Sequence, residues 1–178
     1  MGFDFGTSFF KITLVQPGKP FQIVENTTSN RKTQSQFTLA KENRLFGADS
    51  FIATSRFPKT TFADVCTQFA MPYSEETAQS LKLDKFILNE FVEDERGLIA
   101  VQTFSLDKKE LKDNEDAKTT YMTEELAAMI LAYGRELAEK QAGGQIVKDA
   151  VITVPSYYDS ERRRMLIDAA ELGGINVV

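Results

Sequence analysis

Near the amino terminus, Asp4-Phe5-Gly6-Thr7-Ser8 puts one carboxylate, one glycine and two hydroxyls into a single bend. Gly6 removes a Cβ, so a ligand can approach the backbone, and successive amides in such a bend can form an anion-binding nest. Thr7 and Ser8 add hydroxyl donors, and Asp4 offers a hard oxygen suited to a hydrated Mg2+. These are the parts of a strand-turn-strand phosphate loop. The same residues also make an ordinary turn in which Asp4 accepts backbone N–H bonds. No G-x-x-x-x-G-K-[ST] run occurs, so a P-loop is excluded.

Two absences narrow the chemistry further. With no histidine in the 178 residues, a Ser-His-Asp triad, a Cys-His dyad and a His-ligated zinc site are all ruled out. The single cysteine, Cys66, cannot form an internal disulfide and is expected to be a small buried apolar side chain. A net charge of −5 argues against nucleic acid as a partner. No apolar run approaches the ~18–20 residues of a membrane helix.

A second constellation is Val151-Ile-Thr-Val-Pro155-Ser-Tyr-Tyr-Asp-Ser160-Glu-Arg-Arg163. A strand that leads through a rigid proline into a capped helix can relay movement, or Pro155 can simply end the strand. Arg162 to Arg164 read as a solvated helix face with one arginine pairing inward. Asn26-Thr27-Thr28 fits the N-x-[ST] glycosylation pattern, which is common by chance.

The elements that must carry these residues follow from periodicity. Residues 2–5, Phe9–Val15 and Phe21–Glu25 are expected to form a small antiparallel meander, with Gln16-Pro-Gly-Lys-Pro20 as a tight turn. The first strand therefore starts at residue 2 or 3 with no leader before it, which says little about compartment. Residues 26–50 read as loops with two short strands, Gln36–Leu39 and Arg44–Phe46. Short helices are expected around Pro58. Lys85–Val92 and Leu98–Phe104 read as a hairpin across Glu93–Gly97, and the charged Asp107–Thr120 as a surface connection. Leu126, Met129, Ile130, Tyr133 and Leu137 line one face of a helix capped by Thr123 and stopped by Gly143-Gly144. Ala150–Val154 is expected as a buried strand, and Ser160 as the cap of a helix over about 161–172, closed by Gly173-Gly174. Strands followed by helix-strand-helix predict a mixed α/β fold.

Taken in order, these segments resemble the first half of the nucleotide-binding domain of the 70-kDa heat-shock chaperone family. The matching pieces are Gly2-Phe-Asp4-Phe-Gly6-Thr7-Ser8, Asn30-Arg31-Lys-Thr33, Arg44-Leu-Phe-Gly47, Thr123–Ile130, Ala150–Tyr158 and Asp168–Val177. The resemblance implies lobe I of an actin-like ATPase (ribonuclease H-like): a mixed five-stranded sheet with helices, plus a smaller inserted subdomain. Residues 1–35 and 115–178 would form the first subdomain and 36–114 the insertion, with the second lobe absent. ATP/ADP and Mg2+ are the implied cofactors. Asp4 would hold the hydrated Mg2+, Gly6, Thr7 and Ser8 would contact phosphate, and Pro155 with Arg163 would form the switch between lobes.

One departure matters. The family's lysine, which reaches the transferred phosphate, falls near Val65-Cys66-Thr67, where no basic residue stands. Without that cation, hydrolysis is expected to be slow or absent. Phe9 also replaces the family's usual tyrosine. With Phe5-Gly-Thr-Ser-Phe-Phe-Lys11, Gln16-Pro-Gly-Lys-Pro20-Phe-Gln-Ile-Val24, Arg31-Lys-Thr33 and Arg56-Phe-Pro58, these departures resemble the large endoplasmic-reticulum branch, the 170-kDa glucose-regulated or hypoxia-up-regulated proteins. That branch implies an ATP-binding chaperone of the endoplasmic-reticulum lumen that speeds nucleotide exchange on a partner 70-kDa chaperone, and that holds unfolded clients through regions outside this chain. It also gives Asn26 a compartment where glycosylation occurs. The rivals are an ATP-hydrolysing member of the family with its cation supplied from elsewhere, for instance Lys59, a small-molecule kinase or actin-like protein of the same superfold, and a docking module that binds no nucleotide.

Overall fold

A computed structural model describes residues 1–40, 43–85, 88–104 and 117–178. The amino-terminal meander forms as expected: β1 (Gly2–Asp4), β2 (Phe9–Leu14) and β3 (Gln22–Ile23) are antiparallel neighbours. Strand alternation sends Phe10, Ile12 and Leu14 of β2 into the core and leaves Lys11 on the opposite, open face. β4 (Thr33–Gln34) pairs with β2, and β11 (Asp149–Thr153) lies parallel to β1 with β12 (Asn176–Val177) parallel beyond it. The sheet therefore runs β12-β11-β1-β2-β3, with β4 as a sixth strand beside β2. It is a mixed α/β fold.

Two three-stranded sheets occupy the middle of the chain. β5 (Gln36–Ala40) sits between β6 (Asn43–Phe46) and β7 (Thr61–Ala63). β9 (Ile99–Phe104) sits between β8 (Glu90–Glu93) and β10 (Lys118–Met122). The hairpin closes where anticipated, with Glu93 opposite Ile99, but its first strand starts late. α3 (Glu75–Lys85) takes up Lys85, and 86–87 lie outside the described residues. Of the expected surface connection, 107–116 also lie outside them, whereas Lys118–Thr120 belongs to β10. β7 was not anticipated. The short helices near Pro58 are α1 (Gly47–Ala53), a 3-10 turn at Pro58–Thr60 and α2 (Val65–Gln68).

α4 (Thr123–Gln141) buries Leu126, Ile130 and Leu137 from its expected face and lays Met129 and Tyr133 against the core. Its cap is one residue earlier than expected. Met122 is the N-cap, its N–H donating to the Glu125 carboxylate at 2.8 Å. The Thr123 hydroxyl instead accepts the buried Ala70 N–H at 3.0 Å, tying α4 to the chain after α2. Gly134 lets α4 reach the sheet, because a Cβ there would run into the Phe3 ring. α5 (Ser160–Leu172) is likewise capped one residue early, by Asp159, whose carboxylate accepts the Arg162 N–H at 2.8 Å. The expected buried strand is only half buried. Ala150 faces the core, while Val151 on the other face of β11 is 58% exposed. Aromatic residues dominate the core, Phe3, Phe5, Phe10, Phe37, Phe62 and Phe69 all being fully buried. Each is worth about 1.5–3 kcal/mol of burial.

Candidate functional site

The candidate site is the end of the sheet where β1 turns into β2. Strand register alone aligns three polar residues there. Asp4 stands opposite Lys11 of β2 and beside Thr153 of β11. One Asp4 carboxylate oxygen accepts the Lys11 ammonium at 3.0 Å, and the other accepts the Thr153 hydroxyl at 2.9 Å. Both bonds favour the charged form, so Lys11 first and Thr153 second hold the Asp4 carboxyl below its ordinary value.

Past Asp4 the chain tightens, with the Gly6 N–H donating to the Asp4 carbonyl at 3.1 Å. A Cβ on Gly6 would collide with the Phe9 carbonyl oxygen, so this turn requires glycine. Ser35 ties it down from the side, its hydroxyl donating to the Gly6 carbonyl at 2.7 Å and its N–H to the Ser8 carbonyl at 3.0 Å. Thr7 meets the Thr67 hydroxyl at 3.4 Å, and Ser8 is exposed. The expected residues Asp4, Gly6, Thr7 and Ser8 thus share one braced turn whose upper side is open.

Beneath the turn lies α2. Cys66 is buried, as expected, and its thiol donates to the Phe5 carbonyl at 3.4 Å. Burial pushes the thiol pKa up, which keeps it neutral. The Tyr158 hydroxyl donates to the Cys66 carbonyl at 2.5 Å, and burial pushes its pKa up as well. Tyr158 belongs to the Pro155 turn, its N–H donating to the Pro155 carbonyl at 3.1 Å. Arg163 Nε in turn donates to the Tyr158 carbonyl at 3.0 Å. Pro155 and Arg163 therefore meet at Tyr158, which connects them through Cys66 to Phe5 inside the turn. Arg163 makes this bond while staying exposed, and the half-buried Arg162 lies over the Tyr158 ring, 6.0 Å from its centre. Lys59 does not supply the missing cation here. Its ammonium sits over the Phe104 ring of β9, at 4.9 Å.

On the other side of Lys11, the loop 26–32 is organised by Asn26. Its side-chain oxygen accepts the Thr28 and Asn30 N–H groups at 3.0 and 2.9 Å. Its side-chain nitrogen donates to the Lys32 carbonyl and the Thr33 hydroxyl at 3.2 and 3.3 Å. An open cleft of about 470 Å³ follows, lined by Lys11, Ser29, Asn30, Arg31 and Lys32. Lys11 belongs to a motif of the resemblance but was expected to play no part at the site, and this cleft was not anticipated. The spacing was available, since residues 4 and 11 flank a short turn between antiparallel strands.

The residues fit a hydrated Mg2+: each Asp4 carboxylate oxygen accepts one hydrogen bond and keeps a lone pair for a metal-bound water. Among the described residues there is no group of three or more Cys, Asp or Glu that could hold a metal. No helix among them is long and apolar enough to cross a membrane.

A polar turn braced at the end of a mixed sheet, with helices against the sheet's buried face, fits the family the motifs resemble. The family model for Hsp70 protein matches residues 1–178, and the chain belongs to that family. It is 35% identical over 178 residues to Hypoxia up-regulated protein 1 of Xenopus laevis, covering all of this chain and 26% of that protein. Against the Danio rerio and Homo sapiens proteins of the same name, identity is 32% and 30%, with 17% and 16% of the relatives covered. The chain thus spans about a quarter or less of the length of these relatives.

Proposed function

We propose that this chain is the first lobe of an actin-like nucleotide-binding domain, from a chaperone of the large endoplasmic-reticulum branch, and that it holds ATP or ADP without hydrolysing it at a useful rate. Residues 1–35 and 115–178 form the larger subdomain and 36–114 the smaller, β10 being the strand that leads back between them. Gly6, Thr7 and Ser8 contact the phosphates. The observation that carries this reading is Cys66. It occupies the ground directly beneath the turn, where the family's lysine falls, and it is neutral and buried. Phosphoryl transfer depends on cations beside the developing charge, and this position offers none.

The nucleotide then acts as a structural ligand. It biases the protein toward a closed form only by its differential affinity for that form. The closed form grips the nucleotide domain of a partner 70-kDa chaperone and speeds its ADP release, while unfolded clients bind elsewhere in the whole protein. The Pro155–Tyr158–Arg163 turn is the element that senses the loop, since Tyr158 touches the Cys66 backbone. Glycosylation at Asn26 costs the folded loop one of the two hydrogen bonds its amide nitrogen donates.

Single-turnover hydrolysis by the purified protein, beside an Hsp70 that retains the lysine, tests this. Bound ATP is expected to persist long after the comparison protein has consumed its own. Equal rates would overturn the structural-ligand reading and favour an active ATPase. Release of labelled ADP from a partner chaperone, with and without this protein, tests the exchange role.

A further inference from the structure

We propose that Ser35 is a positioning residue for nucleotide binding: its hydroxyl fixes the Gly6–Thr7 peptide so that the Thr7 N–H faces the phosphates. The inference rests on the nucleotide reading above and names the residue that sets the geometry of the turn.

A peptide unit is planar and trans, so its carbonyl and its N–H point to opposite sides. The Gly6 carbonyl and the Thr7 N–H belong to one such unit. Ser35 is buried, and its hydroxyl donates to that carbonyl at 2.7 Å. The acceptor is thereby held on the inner side of the turn and the Thr7 N–H is sent the other way. Among the described residues that N–H has no hydrogen-bond acceptor. The lock is needed because of Gly6 itself. The turn demands glycine to clear the Phe9 carbonyl, and a residue without a Cβ lets the following peptide flip at little cost. Flipped, the same unit would present a carbonyl oxygen to a phosphate and repel it.

Ser35 is suited to the task because it is anchored on both sides. Gln34 before it pairs with Phe9 of β2 in the larger sheet, and Gln36 after it pairs with Ala63 of β7 in the smaller one. The Gln36 side chain also donates to the Ser50 and Thr54 hydroxyls of the α1 region at 3.2 and 3.3 Å. The Ser35 N–H donates to the Ser8 carbonyl at 3.0 Å, so one residue holds two carbonyls of the turn. With Ser35 buried, water is not available to replace its hydroxyl.

The test is titration calorimetry of Mg-ATP with the protein at its natural length, for wild type, Ser35→Ala, Ser35→Thr and Thr38→Val. Ser35→Ala is expected to lose about tenfold in affinity, and Ser35→Thr, which keeps the hydroxyl, to stay within about threefold of wild type. Thr38→Val is the control for loosening alone. The Thr38 hydroxyl bonds Ser50 of α1 and Thr61 of β7, both at 2.8 Å, so its loss is expected to lower stability in urea while ATP affinity holds. Thermal unfolding checks that each variant is folded; should Thr38→Val fail to fold, the Ser35→Thr rescue decides alone. The inference is overturned if Ser35→Ala binds ATP like wild type, if Ser35→Thr loses as much as Ser35→Ala, or if Thr38→Val loses as much affinity as Ser35→Ala. In each of these cases nucleotide binding stands. If wild type binds no ATP, the nucleotide reading falls, and this inference with it.

Discussion

Above the Asp4–Ser8 turn, Asp4 and Lys11 meet solvent, their side chains 48% and 55% exposed. Below it, Phe5, Cys66, Phe69 and Tyr158 form a dry layer, each 3% exposed or less. The open side keeps the hydroxyls, the glycine and a cation, all of which suit an anion. The dry side holds a buried thiol that donates to a backbone carbonyl. Binding and hydrolysis make separable demands on such a site. On the proposed reading, the open side serves the first and the dry side no longer serves the second.

The sharpest way to break the contrast is at Gly6, which both sides share. Gly6→Ala drives a Cβ into the Phe9 carbonyl, a backbone atom that cannot rotate away. The turn must shift, at a cost of about 1–3 kcal/mol as for other overpacking changes. Nucleotide affinity is expected to fall by about tenfold or more, since amides and hydroxyls lose their common geometry. Calorimetry and thermal unfolding of the variant measure both, and unchanged affinity would mean that the turn is only structural.

Tyr158→Phe probes the dry side alone and is expected to have the next largest effect. It removes the donor to the buried Cys66 carbonyl, whose unmet acceptor costs about 1–3 kcal/mol, read by denaturant unfolding. The ring remains stacked on Phe69, 5.9 Å away, so packing is preserved. If Tyr158 also couples the Pro155 turn to the phosphate loop, the variant weakens the effect of ATP on ADP release by the partner, while ATP affinity stays near wild type. A variant that is less stable yet fully responsive to ATP would leave Tyr158 a packing residue and break the proposed connection.

Much of this arrangement could be read from residue order. Asp4, Gly6, Thr7 and Ser8 are contiguous, so a single turn had to bring them together. Strand alternation and the 3.6-residue period of α4 were equally plain. The misreadings have physical causes. Met122 carries no capping oxygen, so the hydroxyl of Thr123 suggested a cap, although Ala70 claims that hydroxyl. β7 has three residues and no flanking turn signal, and β10 follows a charged run. Tyr158 and Cys66 are 92 residues apart, and nothing local in either segment announces their contact. The Lys11–Asp4 pair was the avoidable omission, because hairpin register implies it.

The smallest expected effect belongs to that pair, and it appears as pH dependence. The Asp4 carboxyl is held below its ordinary value of 3.8, chiefly by Lys11 and then by Thr153. A carboxyl lowered on folding binds fewer protons in the folded state, so it stabilises the fold fully above its unfolded value. That contribution is lost as pH falls through the lower, folded value. The window therefore lies below about pH 3.8, well under neutrality. Other carboxylates titrate there too, among them Glu90, which is lowered by Lys118. Only the difference between wild type and Lys11→Met isolates the Asp4 pair. In urea unfolding across this range, wild type should lose stability more steeply than Lys11→Met. Because both side chains are about half exposed, the gap should be small and should shrink further as salt screens the pair. Parallel acid limbs for the two proteins would mean that Lys11 does not engage Asp4 in solution.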